Sequence, residues 1–319
     1  MATYSPARHE EHGHGHHAPL KPLSYWWKRA LAWAAGGVLF AFVLCLTIRA
    51  IAGMTPLYNE QVYVTAASIF SVLFFLIGIG CFDYWWLWIR GRHVPEEDHS
   101  MHGARSWKDY LRVNTDHKVI GVQYMVVVIF FFFVGGGIAE MFRAELQRPG
   151  EQFFDGETFN GLFSLHATLM IFLFVIPAFA GLANFILPIM IGARDMAFPR
   201  LNALSIWMLP PAGLLMLASL PLGPFSAGWT AYVPLAEQKG TGQTLFEVGV
   251  QFAGASSIMT AVNFLVTIIT MRAPGMTVWR MPLLVWANAT TSALVVFGTP
   301  FIAGSQFLTM FDRVMGTHF

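Results

Sequence analysis

Long apolar runs alternate with short polar segments along most of this chain. Each run reaches the roughly 20 residues that an α-helix needs to cross the hydrocarbon core of a bilayer. The runs are continuous and do not alternate with period two, so a strand barrel is excluded. The pattern predicts an all-α integral membrane protein with about seven transmembrane helices, over residues 30–48, 62–89, 119–141, 159–191, 203–222, 246–271 and 282–310.

The polar segments between the runs divide the chain into four parts. Residues 1–29 form a polar tail that contains HEEHGHGHH, residues 30–92 a two-helix hairpin, residues 93–117 a charged linker, and residues 118–319 five further spans. Imidazoles are good ligands for Cu and Zn, so the tail either binds metal or is a solvated, disordered segment. Most lysines and arginines fall on the side that holds the N-terminus, and this bias predicts a cytoplasmic N-terminus.

Composition narrows the functional class further. Of the 319 residues, 55% are hydrophobic and only 12% are charged, against about 25% charged in soluble domains. The net charge of +1 excludes nucleic-acid binding, because no basic excess is present to neutralise phosphates. Cys45 and Cys81 lie in apolar runs and form no CxxC pair, which argues against a disulfide framework or a thiolate metal site.

One histidine stands well inside a predicted span. His166 lies in the sequence SLHATLMIFLF. A neutral imidazole there either forms a hydrogen bond to a neighbouring helix or ligates a heme iron through one ring nitrogen. The small residues Gly161, Ser164 and Ala167 predict space for a macrocycle beside this helix.

Charged side chains end the third run, in FRAELQRPG. Arg143 and Glu145 either form an interfacial pair that reaches towards the headgroups or direct a guanidinium at a polar substituent of a cofactor.

A carboxylate follows the fourth run. Asp195 lies in IGARDMAFPRLN, between the helix breakers Gly192 and Pro199, where it can collect protons at the inner end of a helix bundle. Polar side chains in the flanking spans either hold a chain of ordered water or only join neighbouring helices. These polar residues are Asn184, Asn202, Ser256, Ser257 and Asn263.

From about residue 115 to residue 319 the chain resembles subunit I of heme-copper terminal oxidases. The resemblance is carried by long motifs in the family's order and spacing: TDHKVIGVQY, FRAELQRPG, LHATLMIFLFVIPAFAGLANFILPIMIGARDMAFPRLNALSIWMLPP, GWTAYVPLA and AGASSIMTAVNFLVTIITMRAPGM. It implies that the last five spans correspond to helices I–V of a twelve-helix subunit in a bacterial cytoplasmic membrane.

The resemblance also implies individual roles. His166 falls on the position of the first axial ligand to the low-spin heme, and Arg143 on that of an arginine beside its formyl group. Trp229 and Tyr232 fall near the heme propionates, while Glu145 matches a position that helps to bind Na or Ca in some members. The resemblance places Asp195 at the opening of a proton channel whose polar positions are matched by Asn184, Asn202, Ser256, Ser257 and Asn263.

The resemblance implies an oxidoreductase that reduces O2 to water with electrons from cytochrome c or quinol and pumps protons. The family's ligands to the high-spin heme and CuB belong to helices beyond residue 319, so the expectation is a fragment, a split gene product or a truncated frame that is inactive alone. Its expected partners are the C-terminal half of subunit I and subunits II and III. The alternatives are a non-redox transporter or scaffold, or a quinol-oxidising variant of the same family.

Overall fold

The computed structural model describes residues 22–54, 60–92, 103–237 and 240–319. Regular structure within these residues is entirely helical, as predicted from the apolar runs. The helices are α1 (Leu23–Ile51), α2 (Glu60–Ile79), α3 (Asp83–Ile89), α4 (His117–Glu145), α5 (Gly156–Leu169), α6 (Ile176–Ile191), α7 (Pro199–Ala218), α8 (Thr241–Thr270) and α9 (Leu283–Met315).

Seven segments of the described chain are long and apolar enough to cross a membrane, with Gly156–Ile191 counted as one. This number confirms the prediction. Several helices extend beyond the apolar runs, because polar residues at their ends find backbone partners. Asp116 caps α4 by accepting hydrogen bonds from the backbone N–H groups of Lys118 and Val119, at 2.8 and 3.2 Å. The first helix begins at Leu23, inside the segment predicted as a tail.

The N-terminal hairpin packs closely along its length. A Cβ atom at Gly37 would lie 2.4 Å from the carbonyl oxygen of Phe70, and one at Gly78 would lie 2.7 Å from Cα of Ala30. The second helix then ends at Gly80, whose φ of 102° turns the chain before α3. The prediction of one helix over 62–89 is therefore wrong at its inner end, where a separate short helix follows the bend.

This hairpin packs against α7 and α8 of the five-span part. At its inner end, the ring of Trp27 lies 5.8 Å from the ring of Trp207 on α7. The indole nitrogen of Trp27 also donates a hydrogen bond to the carbonyl oxygen of Leu111, in the part of the linker that the structure describes. The HEEHGHGHH run and residues 93–102 of the linker lie outside the described residues.

The fourth span consists of two α-helices, α5 and α6, and the chain stays helical between them. Residues Met170–Val175 form a π-helical segment between α5 and α6. The second of these helices packs against α4, where a Cβ atom at Gly181 would lie 2.5 Å from Cβ of Tyr124. It ends at Gly192, whose φ of 71° turns the chain into the segment that carries Asp195.

Candidate functional site

The imidazole of His166 has one nitrogen fixed and one available. Its Nδ1 lies 2.8 Å from the carbonyl oxygen of Gly135 on α4. Because a carbonyl oxygen only accepts, Nδ1 carries a proton, and in the neutral ring Nε2 keeps its lone pair. The ring is half-buried and meets the ring of Phe142 edge-on at 5.3 Å. A ring held in this tautomer is the arrangement that protein histidines use to ligate metals.

The small residues near this histidine have a different use from the predicted one. A Cβ atom at Gly161 would lie 2.3 Å from Cβ of Pro224, and the hydroxyl of Ser164 accepts a hydrogen bond from the backbone N–H of Gly228 at 3.0 Å. The small residues at positions 161 and 164 therefore make room for the outer loop between α7 and α8, and that loop occupies the space predicted for a macrocycle.

That outer loop carries the two aromatic residues assigned by resemblance. Trp229 is 42% exposed, and its ring lies 6.4 Å from that of Phe172 in the π-helical segment. Tyr232 is 73% exposed, so the structure places it at the surface of the described residues. Arg143 is also exposed, near the outer end of α4, and forms no hydrogen bond with another described residue.

Glu145 organises the loop that follows α4. Its carboxylate accepts hydrogen bonds from the backbone N–H groups of Gln152, Phe153 and Phe154, at 2.6, 2.6 and 3.0 Å. The side chain is almost fully buried. The interfacial pair with Arg143, one of the two alternatives left open by the sequence, does not form, and the Na or Ca assignment stays a prediction. The described residues contain no cluster of three or more His, Cys, Asp or Glu side chains that would hold a metal ion.

The inner turn that carries Asp195 is fixed to α8. Asn263 forms two hydrogen bonds with the backbone of Phe198, accepting from its N–H at 2.9 Å and donating to its carbonyl oxygen at 3.2 Å. The hydroxyl of Thr267 accepts from the N–H of Ala197 at 2.9 Å. Asp195 itself is buried, and one of its carboxylate oxygens accepts from the N–H of Met196 at 2.7 Å.

Two buried amides continue from this turn into the bundle. Asn202 on α7 donates a side-chain hydrogen bond to the side-chain oxygen of Asn184 on α6, at 2.6 Å. The backbone carbonyl of Asn184 lies 2.9 Å from Nδ1 of His117 at the start of α4. The pair therefore joins the starts of α4 and α7 to the middle of α6.

A hydroxyl cluster lies deeper in the bundle. The hydroxyl of Tyr124 is 2.9 Å from that of Ser205 and 3.1 Å from that of Thr260. Ser205 donates to the carbonyl oxygen of Asn202, and Ser256 donates to that of Ser205, both at 2.7 Å. We use the name polar track for a set of seven residues: Asp195, Asn184, Asn202, Ser205, Tyr124, Thr260 and Ser256.

The polar track reaches a cavity between α4, α6, α7, α8 and α9. Tyr124, Ser256, Ser257 and Thr260 line one part of its wall, and Asn288 lines another. Ser257 adds little to the track itself, because its hydroxyl donates to the carbonyl oxygen of Ala253 on its own helix.

Sequence reasoning did not single out His117, Tyr124, Ser205, Thr260 and Thr267. Tyr124 carried a usable signal, since a buried tyrosine hydroxyl normally needs a polar partner. The others lie at a helix start or among hydroxyls that commonly bond to their own helix, so the sequence gives them no distinguishing pattern.

Comparison with known proteins identifies the five-span part. The family model described as cytochrome c and quinol oxidase polypeptide I matches residues 119–319. The chain belongs to this family. The resemblance read from the sequence motifs is thereby confirmed, and the chain is a multi-pass membrane protein.

Relatives from several bacteria support the same assignment. The chain is 45% identical over 219 residues to cytochrome c oxidase subunit 1 of Synechocystis sp., covering 68% of this chain and 40% of that protein. It is 45% identical over 218 residues to the subunit of the same name from Thermostichus vulcanus, with the same coverage. A putative cytochrome c oxidase subunit 1-beta of Streptomyces avermitilis is 47% identical over 214 residues, which is 66% of this chain and 38% of that protein.

The matched region covers only part of this oxidase-family chain. It contains His166, Asp195 and the polar track, but it leaves out the N-terminal hairpin of α1–α3. The chain also spans only about 40% of the length of its first relatives.

Proposed function

We propose that this chain is the N-terminal part of the catalytic subunit of a bacterial terminal oxidase, with its N-terminus in the cytoplasm. The complete oxidase would reduce O2 to water and move protons across the cytoplasmic membrane. The observation that carries the proposal is the fixed tautomer of His166, whose Nδ1–H is held by Gly135 while Nε2 stays available. Family membership supports it independently.

In this proposal His166 is an axial ligand of a low-spin heme. A bound heme would supply one-electron redox chemistry. The residues of this chain fit that group, because an imidazole oriented by a backbone carbonyl is a suitable iron ligand. Arg143, Trp229 and Tyr232 on the outer side would contact its polar substituents. Ligands to the high-spin heme and CuB would come from the C-terminal half of subunit I.

The polar track would deliver protons from the cytoplasmic side. Asp195 is the collector in the inner turn, and the amides of Asn184 and Asn202 continue from it towards the hydroxyl cluster. Buried hydroxyls and amides of this kind hold ordered water, and water joined by hydrogen bonds passes protons onward. Ser256, Ser257 and Asn263 line or brace this route. Glu145 is retained as a candidate ligand of Na or Ca.

The remaining assignments follow from the same proposal. Subunits II and III and the C-terminal half of subunit I are the proposed partners, and the electron donor is cytochrome c or quinol. We propose the same four parts of the chain as functional units, namely the tail, the hairpin, the linker and the oxidase part, with the hairpin beginning at Leu23 rather than at residue 30.

The first test is the reduced-minus-oxidised spectrum of the assembled complex. His166→Ala is expected to remove the low-spin heme band. His318→Ala is the matched control, because this exposed imidazole follows the last helix and has no bonded partner among the described residues. Retention of the low-spin band in His166→Ala would reject the ligand assignment.

The second test measures turnover together with that spectrum. Asp195→Asn is expected to slow O2 consumption at least tenfold, a loss on the order reported for single proton-transfer groups, while the heme bands stay unchanged. An unchanged rate would reject the collector role of Asp195 without affecting the heme assignment.

A further inference from the structure

The hairpin of α1–α3 reaches the inner turn that carries Asp195, although it lies outside the matched family region. The guanidinium of Arg200 lies directly over the ring of Tyr84 on α3. Arg200 is the second residue of α7, five positions after Asp195 and two before Asn202. The contact therefore joins the hairpin to the stretch that connects the collector with the first amide of the polar track.

The position of Tyr84 is fixed by interactions within the hairpin. Arg29 on α1 donates two hydrogen bonds to the carboxylate of Asp83, at 2.7 and 3.1 Å, and a third to the carbonyl oxygen of Ile77 at 3.1 Å. A bidentate arginine–carboxylate pair fixes orientation as well as distance. Since Asp83 immediately precedes Tyr84, this pair holds α3 in the orientation that presents the tyrosine ring to Arg200.

The inner turn is thus held from two sides. Asn263 and Thr267 fix residues 197 and 198 to α8, as described above. Tyr84 holds the first turn of α7 from the side of the hairpin. Trp27 and Trp207 pack together nearby, which places the hairpin firmly against the same helix.

We propose that Tyr84 is a positioning residue for proton uptake, acting through Arg200 on the segment from Asp195 to Asn202. This inference rests on the proposed function and extends it to the hairpin. An arginine side chain has many rotamers, and the ring face selects one of them. With Arg200 fixed, the first turn of α7 keeps the amide of Asn202 against that of Asn184, so the beginning of the polar track stays continuous.

The hairpin itself offers a matched control. Arg90, which directly follows α3, lies over the ring of Trp86 in that helix, 4.2 Å from its centroid. The indole of Trp86 is 55% exposed. Trp86→Leu therefore removes a cation–aromatic contact from the same short helix without touching the inner turn.

The experiment uses the assembled oxidase complex and measures two rates after mixing with reductant and O2. Proton uptake is followed with a pH-indicator dye, and reduction of the low-spin heme is followed by its absorbance. Tyr84→Leu is expected to slow proton uptake by about fivefold, on the order of one partly exposed cation–π contact, with heme reduction unchanged. Tyr84→Phe keeps the ring face and is expected to retain the wild-type rate, as is Trp86→Leu.

Arg200→Gln is a second variant that tests the contact between Tyr84 and Arg200. It removes the cation while leaving the hairpin intact, and it is expected to slow uptake at least as much as Tyr84→Leu; adding Tyr84→Leu to it should cause no further loss. Wild-type uptake in Arg200→Gln, or in an assembled Tyr84→Leu complex, would overturn the inference. So would an equal loss in Tyr84→Phe or Trp86→Leu.

Failure of the proposed function would look different. In that case the wild-type complex itself would lack the low-spin heme band, or its turnover would not depend on Asp195. A complex that shows both properties, but whose proton uptake ignores Tyr84 and Arg200, would reject only the positioning role.

Discussion

The side-chain amides of Asn184 and Asn202 are fully buried and lie 2.6 Å apart, nitrogen to oxygen. The amide of Asn184 also donates a hydrogen bond to the backbone carbonyl oxygen of Ala180, at 3.0 Å. The hydrogen bond between the two amides satisfies the side-chain oxygen of Asn184 in surroundings where an unpaired amide is costly, whereas the side-chain oxygen of Asn202 has no hydrogen-bond partner among the described residues. This pair connects α6 and α7 close to the inner turn.

Removing either amide is expected to destabilise the protein. Asn202→Ala leaves the side-chain oxygen of Asn184 without its donor, at a cost of about 1–3 kcal/mol in the free energy of unfolding. Asn184→Ala is expected to cost a similar amount, and the double variant less than the sum of the two by about 1 kcal/mol. Unfolding in mixed detergent micelles measures these differences.

Ser257→Ala is the matched control for that cycle, because its hydroxyl bonds to its own helix. We expect it to change the free energy of unfolding by less than about 0.5 kcal/mol. Strict additivity of the two asparagine variants would contradict a direct interaction between them.

The loop after α4 is expected to depend on the charge of Glu145. Glu145→Gln leaves one acceptor oxygen for three backbone N–H groups and turns an amide donor towards them. Hydrogen exchange at Gln152, Phe153 and Phe154 should become roughly tenfold faster, on the order of one lost hydrogen bond to a charged group. Exchange that stays at the wild-type rate at these amides would show that the loop holds its shape without the carboxylate.

Acidification is expected to loosen the start of α5. The carboxylate of Asp155 accepts from the backbone N–H of Thr158 at 3.0 Å, and its hydrogen bonds to Thr158 lower the pKa of Asp155 below its ordinary value. A lowered folded-state pKa stabilises the protein above the unfolded-state value, about 4, and this stability is lost as the pH falls through the folded-state pKa.

The measurement for this acid effect is amide protection at Thr158 between neutral and acidic pH. Protection should fall in the wild type below about pH 4. Asp155→Asn keeps a neutral capping oxygen, so its protection should not depend on pH in that window. Equal pH dependence in the two proteins would assign the effect to another group.

The close contact at Gly161 is expected to exclude any side chain. Gly161→Ala places a Cβ atom 2.3 Å from Cβ of Pro224, which has no flexible end to move aside. The outer loop must shift, and we expect a loss of about 1–3 kcal/mol and weaker packing of Trp229 near Phe172. Gly156→Ala, at a position on the same helix with open space around it, should not destabilise. Thermal unfolding of the two variants compares them directly.

Continuous hydropathy predicted the seven membrane helices, because lipid requires backbone polar groups to be satisfied within each span. It failed at helix ends, where tertiary contacts decide. The last span was predicted to end at residue 310, yet α9 continues to Met315, and Arg313 in its last turn donates to the carbonyl oxygens of Ala236 and Gly240. No apolar run reveals such partners, since they belong to a loop far away in the sequence.

The candidate site likewise contains residues that were predictable from the sequence and residues that were not. Asp195, Asn184 and Asn202 were predictable because polar groups in or beside apolar spans need a reason to be there. The pairing of Tyr124 with Ser205 and Thr260 was not predictable, because it depends on the packing of three helices. The prediction that Gly161 and Ser164 leave room for a cofactor failed since the outer loop fills that side of α5.

Because of the π-helical turn at Met170–Val175, the parts of this span before and after the turn face different neighbouring helices. Each residue of an α-helix advances the azimuth by about 100°, so one residue more or less in this turn would swing His166 and Asn184 out of their present phase. A single span thereby directs an imidazole towards α4 in its first part and an amide towards α7 in its second part. A wheel diagram drawn over the whole span would misjudge which faces the two residues share.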